Sequence, residues 1–203
     1  LISEEVKFFN QDNESFADVT IRNNLTFTCR VSGLENTGET VILLHGFPST
    51  SHMWHELINF LSNENYRVIA PNQRGYSQGA RPSEISEYHI DNLVQDVLDI
   101  ADAMDVDKFH LIGHDWGSAV GWAVTATNKD RILTWTALSV PHLDAFGDAI
   151  VNDETQEEKS YYIDIFRMKF IPELYFKFLN YRNLKNIWSS SSDMQIEKYM
   201  NVF

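Results

Sequence analysis

The apolar residues of the chain fall into short runs that alternate with helical patterns. Runs typical of buried strands lie at 41–45, 66–70, 109–112 and 132–140, and helical patterns lie at 54–61, 88–104 and 118–127. Two earlier alternating segments, 16–21 and 25–32, flank a predicted turn and indicate a β-hairpin. Because strands that alternate with helices pair in parallel through helical crossovers, the pattern predicts an α/β fold with a mostly parallel sheet and flanking helices.

The pattern changes after Pro141. Residues 148–160 are heavily charged, residues 161–178 carry aromatic side chains at helical spacings, and no further strand pattern follows. The serines at 189–192 are typical of a connection between helices. The sequence therefore predicts a core region over residues 1–142 and a helical subdomain over residues 143–203.

Periodicity also predicts which side chains are buried. In the helix predicted at 88–104 the apolar residues recur at steps of three and four, and the acidic residues are expected to cover the exposed side: Asp91, Asp96, Asp99 and Asp102. The single cysteine, Cys29, lies within an alternating segment and is expected to be a buried free thiol.

The net charge of -13 disfavours nucleic acid or an anionic membrane as a partner, because a surface of that sign repels phosphate. No apolar run is long enough to cross a bilayer, so a soluble protein is expected. A cytoplasmic location is the first expectation. A secreted or periplasmic one stays open because the first residue is Leu1 rather than methionine.

A charged residue between two glycines follows the strand predicted at 109–112. The segment consists of Gly113, His114, Asp115, Trp116 and Gly117. A nucleophile on such a strand-to-helix turn stands exposed above the sheet, and small neighbours prevent steric collisions. A carboxylate suits attack on a saturated carbon, which would give an alkyl ester on Asp115. The alternative interpretation of Asp115 alone is a helix N-cap.

Hydrolysis of that ester needs two backbone donors for the oxyanion. One is expected from the amide of Trp116 and the other from the amide of Phe47, in the loop after the strand at 41–45. That loop consists of His45, Gly46, Phe47 and Pro48. The two motifs occur in the chain order that an oxyanion loop and a nucleophile turn require, which favours catalysis over capping.

These two motifs, together with Arg74-Gly75-Tyr76, resemble those of the α/β-hydrolase epoxide hydrolases. The resemblance implies that Asp115 is the nucleophile, that Phe47 and Trp116 supply the oxyanion-hole amides, and that a cis peptide bond precedes Pro48. It further implies that the residues from about Leu143 form a partial helical cap. His45, Gly46, His114, Gly113 and Gly117 would support the site, and no cofactor or metal is expected.

Epoxide hydrolases of this kind carry cap tyrosines that donate a proton to the epoxide oxygen. Tyr162 matches the first of them by its spacing before Phe166 and Arg167, and Tyr161 is its nearest rival. The alternative is that Tyr162 only packs a cap helix onto the core. Tyr181 is a minor candidate for the second tyrosine.

The fold places an acid and then a histidine after the nucleophile. His142 is the only histidine that follows Asp115, and we expect it to be a hinge or surface residue rather than the base. The acidic residues after Asp115 all belong to the predicted cap. We therefore expect the C-terminal part of the core to be absent, either because the sequence is truncated, because it belongs to a larger product, or because a second segment or chain completes the fold.

The sequence thus predicts a hydrolase that opens a small apolar epoxide to a vicinal diol through an Asp115 ester, incomplete in this chain. A haloalkane dehalogenase-like hydrolase is the nearest alternative, although that family typically has asparagine in place of Phe47. Fluoroacetate dehalogenases typically have arginine in place of Trp116. A non-catalytic binding protein or an inactive fragment of the fold is the third alternative.

Overall fold

The computed structural model describes residues 5–168, 172, 174–177, 182, 183, 185 and 186. The chain divides into two compact units between Val140 and Pro141. The predictions for Tyr181 and for the serines at 189–192 lie outside the described residues.

The first unit is a seven-stranded sheet with helices on both faces. Its strands are β1 (Glu5–Gln11), β2 (Glu14–Thr20), β3 (Thr26–Ser32), β4 (Thr40–Leu44), β5 (Arg67–Pro71), β6 (Phe109–His114) and β7 (Ile132–Leu138), and its helices are α1 (His55–Asn63), α2 (Ile90–Ala103) and α3 (Trp116–Thr127). The strand order is β1-β2-β3-β5-β4-β6-β7. The sheet is mixed, since β1, β2, β3 and β5 pair antiparallel in that order while β5, β4, β6 and β7 pair in parallel.

The strands and helices predicted from residue 16 to residue 140 are confirmed. The predicted hairpin pairs β2 with β3 through a short 3-10 helix at Arg22–Asn24. A further strand, β1, precedes the hairpin and pairs with β2. Six of the seven β1 residues are exposed, so β1 lacks the alternation that marks a half-buried strand.

Strand β4 shows why the core has two layers. All five of its residues are buried. Ile42 and Leu44 point to one face, where α2 and α3 pack, and Val41 and Leu43 point to the other, where Trp54 and Ile58 of the α1 region pack. A strand that is covered on both faces has a continuous apolar sequence, and this pattern predicted β4. Cys29 is a buried free thiol, as predicted.

The prediction that all four aspartates of α2 cover its exposed side is wrong for Asp96. This side chain is 6% exposed and accepts two hydrogen bonds from Arg74, whose Nε and Nη2 lie 2.7 Å from its two oxygens. Arg22 also contacts Asp96, at 3.2 Å. Burial raises the pKa of Asp96, and the Arg74 guanidinium opposes that rise. The buried aspartate is kept because a bidentate guanidinium compensates its charge.

The second unit is helical where it is described, as predicted. Its helices are α4 (Leu143–Asn152) and α5 (Glu154–Arg167). Among the described residues of the charged and aromatic segments, Glu157, Lys159, Tyr161, Tyr162 and Phe166 lie on α5. None of the helices in the described part of the chain combines the length and the apolar composition that crossing a bilayer requires.

The Arg74–Asp96 pair yields a stability prediction. Asp96→Asn removes the buried counter-charge of Arg74 and leaves only the more exposed Glu87 carboxylate, 3.1 Å from Nη1, to compensate the guanidinium. The free energy of unfolding should therefore fall by about 3 kcal/mol. The matched control is Asp107→Asn, at an exposed position, where a change within about 0.5 kcal/mol is expected. Urea unfolding monitored by circular dichroism measures both. Equal losses in the two variants would contradict a stabilising role for the pair.

Candidate functional site

The two predicted motifs meet at the carboxyl edge of the parallel strands. Strands β4 and β6 are neighbours, with Leu44 opposite Gly113. The loop that leaves β4 and the turn that leaves β6 therefore emerge side by side. Parallel strands place their carboxyl ends at one edge of a sheet, and this is where α/β folds commonly bind ligands.

Asp115 occupies the turn between β6 and α3. Its backbone has φ 53° and ψ -120°, a conformation that costs an ordinary residue roughly 1–3 kcal/mol and that clusters at functional positions. Its own amide donates to the carbonyl of Leu138 in β7, at 3.2 Å. The side chain makes no capping hydrogen bond to α3. Asp115 thus occupies the N-cap position of α3 but does not cap the helix through its side chain, so its carboxylate is available for another purpose.

The amide of Phe47 donates to Oδ1 of Asp115, at 2.8 Å. The Phe47–Pro48 peptide bond is cis, as the resemblance implied. Trp116 is the first residue of α3, where amide groups have no partner within the helix. Its indole is 61% exposed. The Phe47 amide, one of the two predicted donors, thus contacts the Asp115 carboxylate directly. Trp116, which carries the other predicted donor, is the first residue of α3.

The loop after β4 and the turn after β6 can approach each other closely only because both segments carry glycines. A Cβ atom at Gly46 would collide with Cβ and Oδ1 of Asp115. A Cβ atom at Gly117 would collide with the carbonyl of Leu44, and one at Gly113 with the carbonyl of Gly117. Any larger residue at these positions would force the loop and the turn apart, so the short contact between Phe47 and Asp115 depends on them.

His45 fixes the loop from beneath. The ring is completely buried. Its Nδ1 lies 3.0 Å from the carbonyl of Gly46, and its Nε2 accepts a hydrogen bond from the amide of Gln73 at 3.0 Å. One nitrogen donates and the other accepts, which defines a neutral tautomer. Burial lowers the pKa of His45 to about 4, in keeping with that neutral form.

Two residues near Asp115 were missed by sequence reasoning. The Ser118 hydroxyl donates to the carbonyls of Gly113 and Leu138, at 2.6 and 2.8 Å, and accepts from the amide of Leu138 at 3.1 Å. It joins the turn to β7.

Tyr76 is the second such residue. Burial raises the pKa of Tyr76, and the Asp115 charge adds to the rise. The sequence predicts no role for Tyr76 itself. Its place in the Arg74-Gly75-Tyr76 motif is the one feature of the sequence that could have pointed to it.

The remaining predicted residues are placed as follows. His114 ends β6, and its Nδ1 is buried without a hydrogen-bond partner among the residues that the structure describes. His142 is an exposed N-cap of α4, whose Nδ1 accepts from the amide of Asp144 at 3.3 Å. Tyr162 lies on α5 in the second unit, where its half-exposed ring packs edge to face on Phe166, with centroids 5.5 Å apart. His142 lies at the surface, as expected, while the supporting role of His114 and the catalytic role of Tyr162 remain predictions.

A strand-to-helix turn that faces a loop from the neighbouring parallel strand is the arrangement characteristic of the α/β-hydrolase fold. The sequence profile of the alpha/beta hydrolase fold family matches residues 39–170. The chain therefore belongs to the α/β hydrolase fold family.

Individual relatives are more specific. The chain is 36% identical over 151 residues to the AB hydrolase superfamily protein YfhM of Bacillus subtilis, covering 74% of this chain and 52% of the relative. It is 33% identical over 153 residues to epoxide hydrolase 4 of Mus musculus, covering 75% and 42%. A solved epoxide hydrolase from metagenomes of hot environments is 29% identical, with a TM-score of 0.73, covering 85% and 54%. The chain is thus similar to epoxide hydrolases and spans about half the length of these relatives.

The tautomer of His45 yields a pH prediction. The folded pKa of about 4 lies below the ordinary value of 6.5, so the unfolded chain takes up a proton at a pH where the folded protein does not. Stability from this residue is fully present above pH 6.5 and declines as the pH falls towards 4, by up to about 3 kcal/mol in total.

His45→Asn removes this titration, so the stability difference between the parent and the variant should narrow between about pH 7 and about pH 5. Urea unfolding across that range measures it. The control is His89→Gln, at an exposed position, whose pH profile should parallel that of the parent. A parallel profile for His45→Asn would contradict the neutral buried form.

Proposed function

We propose that the protein opens epoxides to vicinal diols through a covalent ester on Asp115. The observation that carries the proposal is the Asp115 carboxylate itself, held at the apex of the turn with Oδ1 2.8 Å from the amide nitrogen of Phe47. Similarity to epoxide hydrolases supports the choice of substrate class.

We assign different tasks to the two carboxylate oxygens of Asp115. Because Oδ1 already accepts from the Phe47 amide, Oδ2 is the oxygen that attacks. Its lone pair forms a bond to one epoxide carbon while the bond from that carbon to the ring oxygen breaks. The ring oxygen takes a proton from a donor, which leaves a hydroxyl group beside a new ester on Asp115. No atom leaves the complex in this step.

Oδ1 then becomes the carbonyl oxygen of the ester. Water attacks the carbonyl carbon, and negative charge develops on Oδ1, which already lies on the Phe47 donor. The amide of Trp116, at the positive end of α3, would supply the second donor. Collapse of this intermediate breaks the bond between the ester carbon and the alkyl oxygen, which takes up one proton of the attacking water and leaves as the diol. The other proton returns to the group that protonated the ring oxygen, and the carboxylate is restored. The base that activates the water is not assigned to any of the residues that the structure describes.

Tyr162 is our proposed proton donor to the epoxide oxygen. A phenol is neutral at ordinary pH and can transfer its proton as charge develops on the ring oxygen. The aromatic character of the segment from Tyr161 to Phe178 supports an apolar epoxide as substrate.

The nucleophile assignment is tested by covalent labelling. Incubation with styrene oxide followed by rapid acid quench should increase the intact mass by one styrene oxide, and peptide mapping should place the label on Asp115. Asp115→Asn should lose the label, because a neutral amide oxygen is a far weaker nucleophile. The matched control, Asp130→Asn at an exposed position, should be labelled like the parent.

Two results would overturn the assignment. A folded parent protein that acquires no label at Asp115 would favour the non-catalytic alternative. Labelling of Asp115 by a chloroalkane, with halide release and without reaction with styrene oxide, would favour the dehalogenase-like alternative.

The role of Tyr162 is tested by the rate of that labelling. Tyr162→Phe removes the proton donor and keeps the ring that packs on Phe166, so the alkylation rate constant should fall roughly tenfold or more while apparent binding changes little. Tyr161→Phe is the matched control and should react like the parent. The same rate in Tyr162→Phe, or a slower rate in Tyr161→Phe alone, would reassign Tyr162 to packing.

A further inference from the structure

Three metal-ligand side chains converge at the start of α1, outside the Asp115 site. Glu14 is the first residue of β2, His52 lies in the short 3-10 helix Ser51–Trp54, and His55 begins α1. Each offers one ligand atom, and these atoms all lie within 4.8 Å of one another. In the described part of the chain, this is the one group of three such residues that meets that criterion.

The spacing fits a small divalent ion after modest movement. Histidine nitrogens and carboxylate oxygens bind zinc at about 2.0–2.1 Å, so ligand atoms around a tetrahedral ion lie roughly 3.3 Å apart. Oε1 of Glu14 and Nδ1 of His55 are 2.8 Å apart. The rings of His52 and His55 are tilted by 35°, with centroids 5.7 Å apart. Shifts of about 1 Å or less would bring the three atoms to tetrahedral spacing.

The surroundings hold the carboxylate in place. Arg30 forms an ion pair with Oε2 of Glu14, the oxygen that does not face His55. Arg30 is itself buried, and its guanidinium lies 4.7 Å from the centre of the Phe16 ring. A ligating carboxylate is commonly oriented by such a second hydrogen-bonding partner. Arg30 therefore leaves Oε1 as the oxygen available to an ion.

The alternative is that Glu14, Arg30 and His55 form only a polar network between the hairpin and α1. Such a network needs only Glu14, Arg30 and His55, whereas a bound ion would also use His52, a buried histidine whose ligand atom lies within 4.8 Å of those of Glu14 and His55. Two imidazoles and one carboxylate form the ligand set of zinc sites that keep a fourth position for water. Magnesium and calcium prefer oxygen ligands alone.

We propose that Glu14, His52 and His55 form a binding site for zinc or a similar divalent transition metal. The ion would join the β2–β3 hairpin to the start of α1 and would stabilise the fold. The site is independent of the function proposed for Asp115, since none of its ligands takes part in that chemistry.

Isothermal titration with zinc chloride, after removal of metals with a chelator, tests the proposal. We expect one equivalent to bind, and we expect a rise in Tm of roughly 5 °C when zinc exceeds its Kd about 100-fold. Magnesium chloride should produce neither effect. Cobalt should give the visible absorption typical of tetrahedral coordination by nitrogen and oxygen.

The variants decide where the ion binds. His55→Gln changes a side chain that is 36% exposed, so it should fold normally and lose zinc affinity by at least about tenfold. Glu14→Gln and His52→Asn should weaken binding similarly, and their circular dichroism in chelator reports their folding. His89→Gln, an exposed histidine outside the cluster, should bind like the parent. Absence of stoichiometric binding, or unchanged affinity in folded His55→Gln, would overturn the proposal.

Discussion

The candidate site depends on the close approach of two backbone segments. The amide of Phe47 reaches the Asp115 carboxylate at 2.8 Å because the two segments leave neighbouring parallel strands at the same level. Gly46 and Gly117 have no side chain to prevent this approach. The contact joins a preorganised donor to a carboxylate in a constrained turn, and preorganisation of this kind is what lowers the barrier to charge development. The rest of the first unit positions these two segments.

Two buried side chains, His45 in the loop after β4 and Arg74 in the segment after β5, stabilise these segments in different ways. His45 is neutral and uses one ring nitrogen as donor and the other as acceptor, so it holds the loop without introducing a charge. Arg74 is charged and is compensated by Asp96, which ties the segment after β5 to α2. The neutral His45 directly precedes Gly46 and Phe47, which contact the proposed nucleophile, and the Arg74–Asp96 ion pair lies on other segments. A cation at the position of His45 would stabilise the Asp115 carboxylate and weaken it as a nucleophile.

Features that a contiguous stretch of sequence marks could be predicted, whereas contacts between distant segments could not. Strands β4 to β7 carry apolar runs, and the loop and the turn are contiguous motifs, so their positions and the Phe47 donor were predictable. Strand β1 was not, because its side chains are largely exposed. Asp96 was misassigned since periodicity cannot reveal an arginine that approaches from another segment. The proximity of Glu14 to His55 depends on tertiary packing, and nothing local in the sequence marks it.

The strain at Asp115 has a structural counterpart in β7. A residue with φ 53° and ψ -120° would relax if the end of its strand were free to move. Leu138 prevents this, because its carbonyl accepts from the Asp115 amide and from the Ser118 hydroxyl, while its amide donates to the same hydroxyl. Ser118 also bonds the carbonyl of Gly113, so both sides of the turn are attached to one strand. The turn is thus held by the strand beyond it as much as by its own sequence. The turn that carries Asp115 therefore needs β7 in register to take the conformation described above.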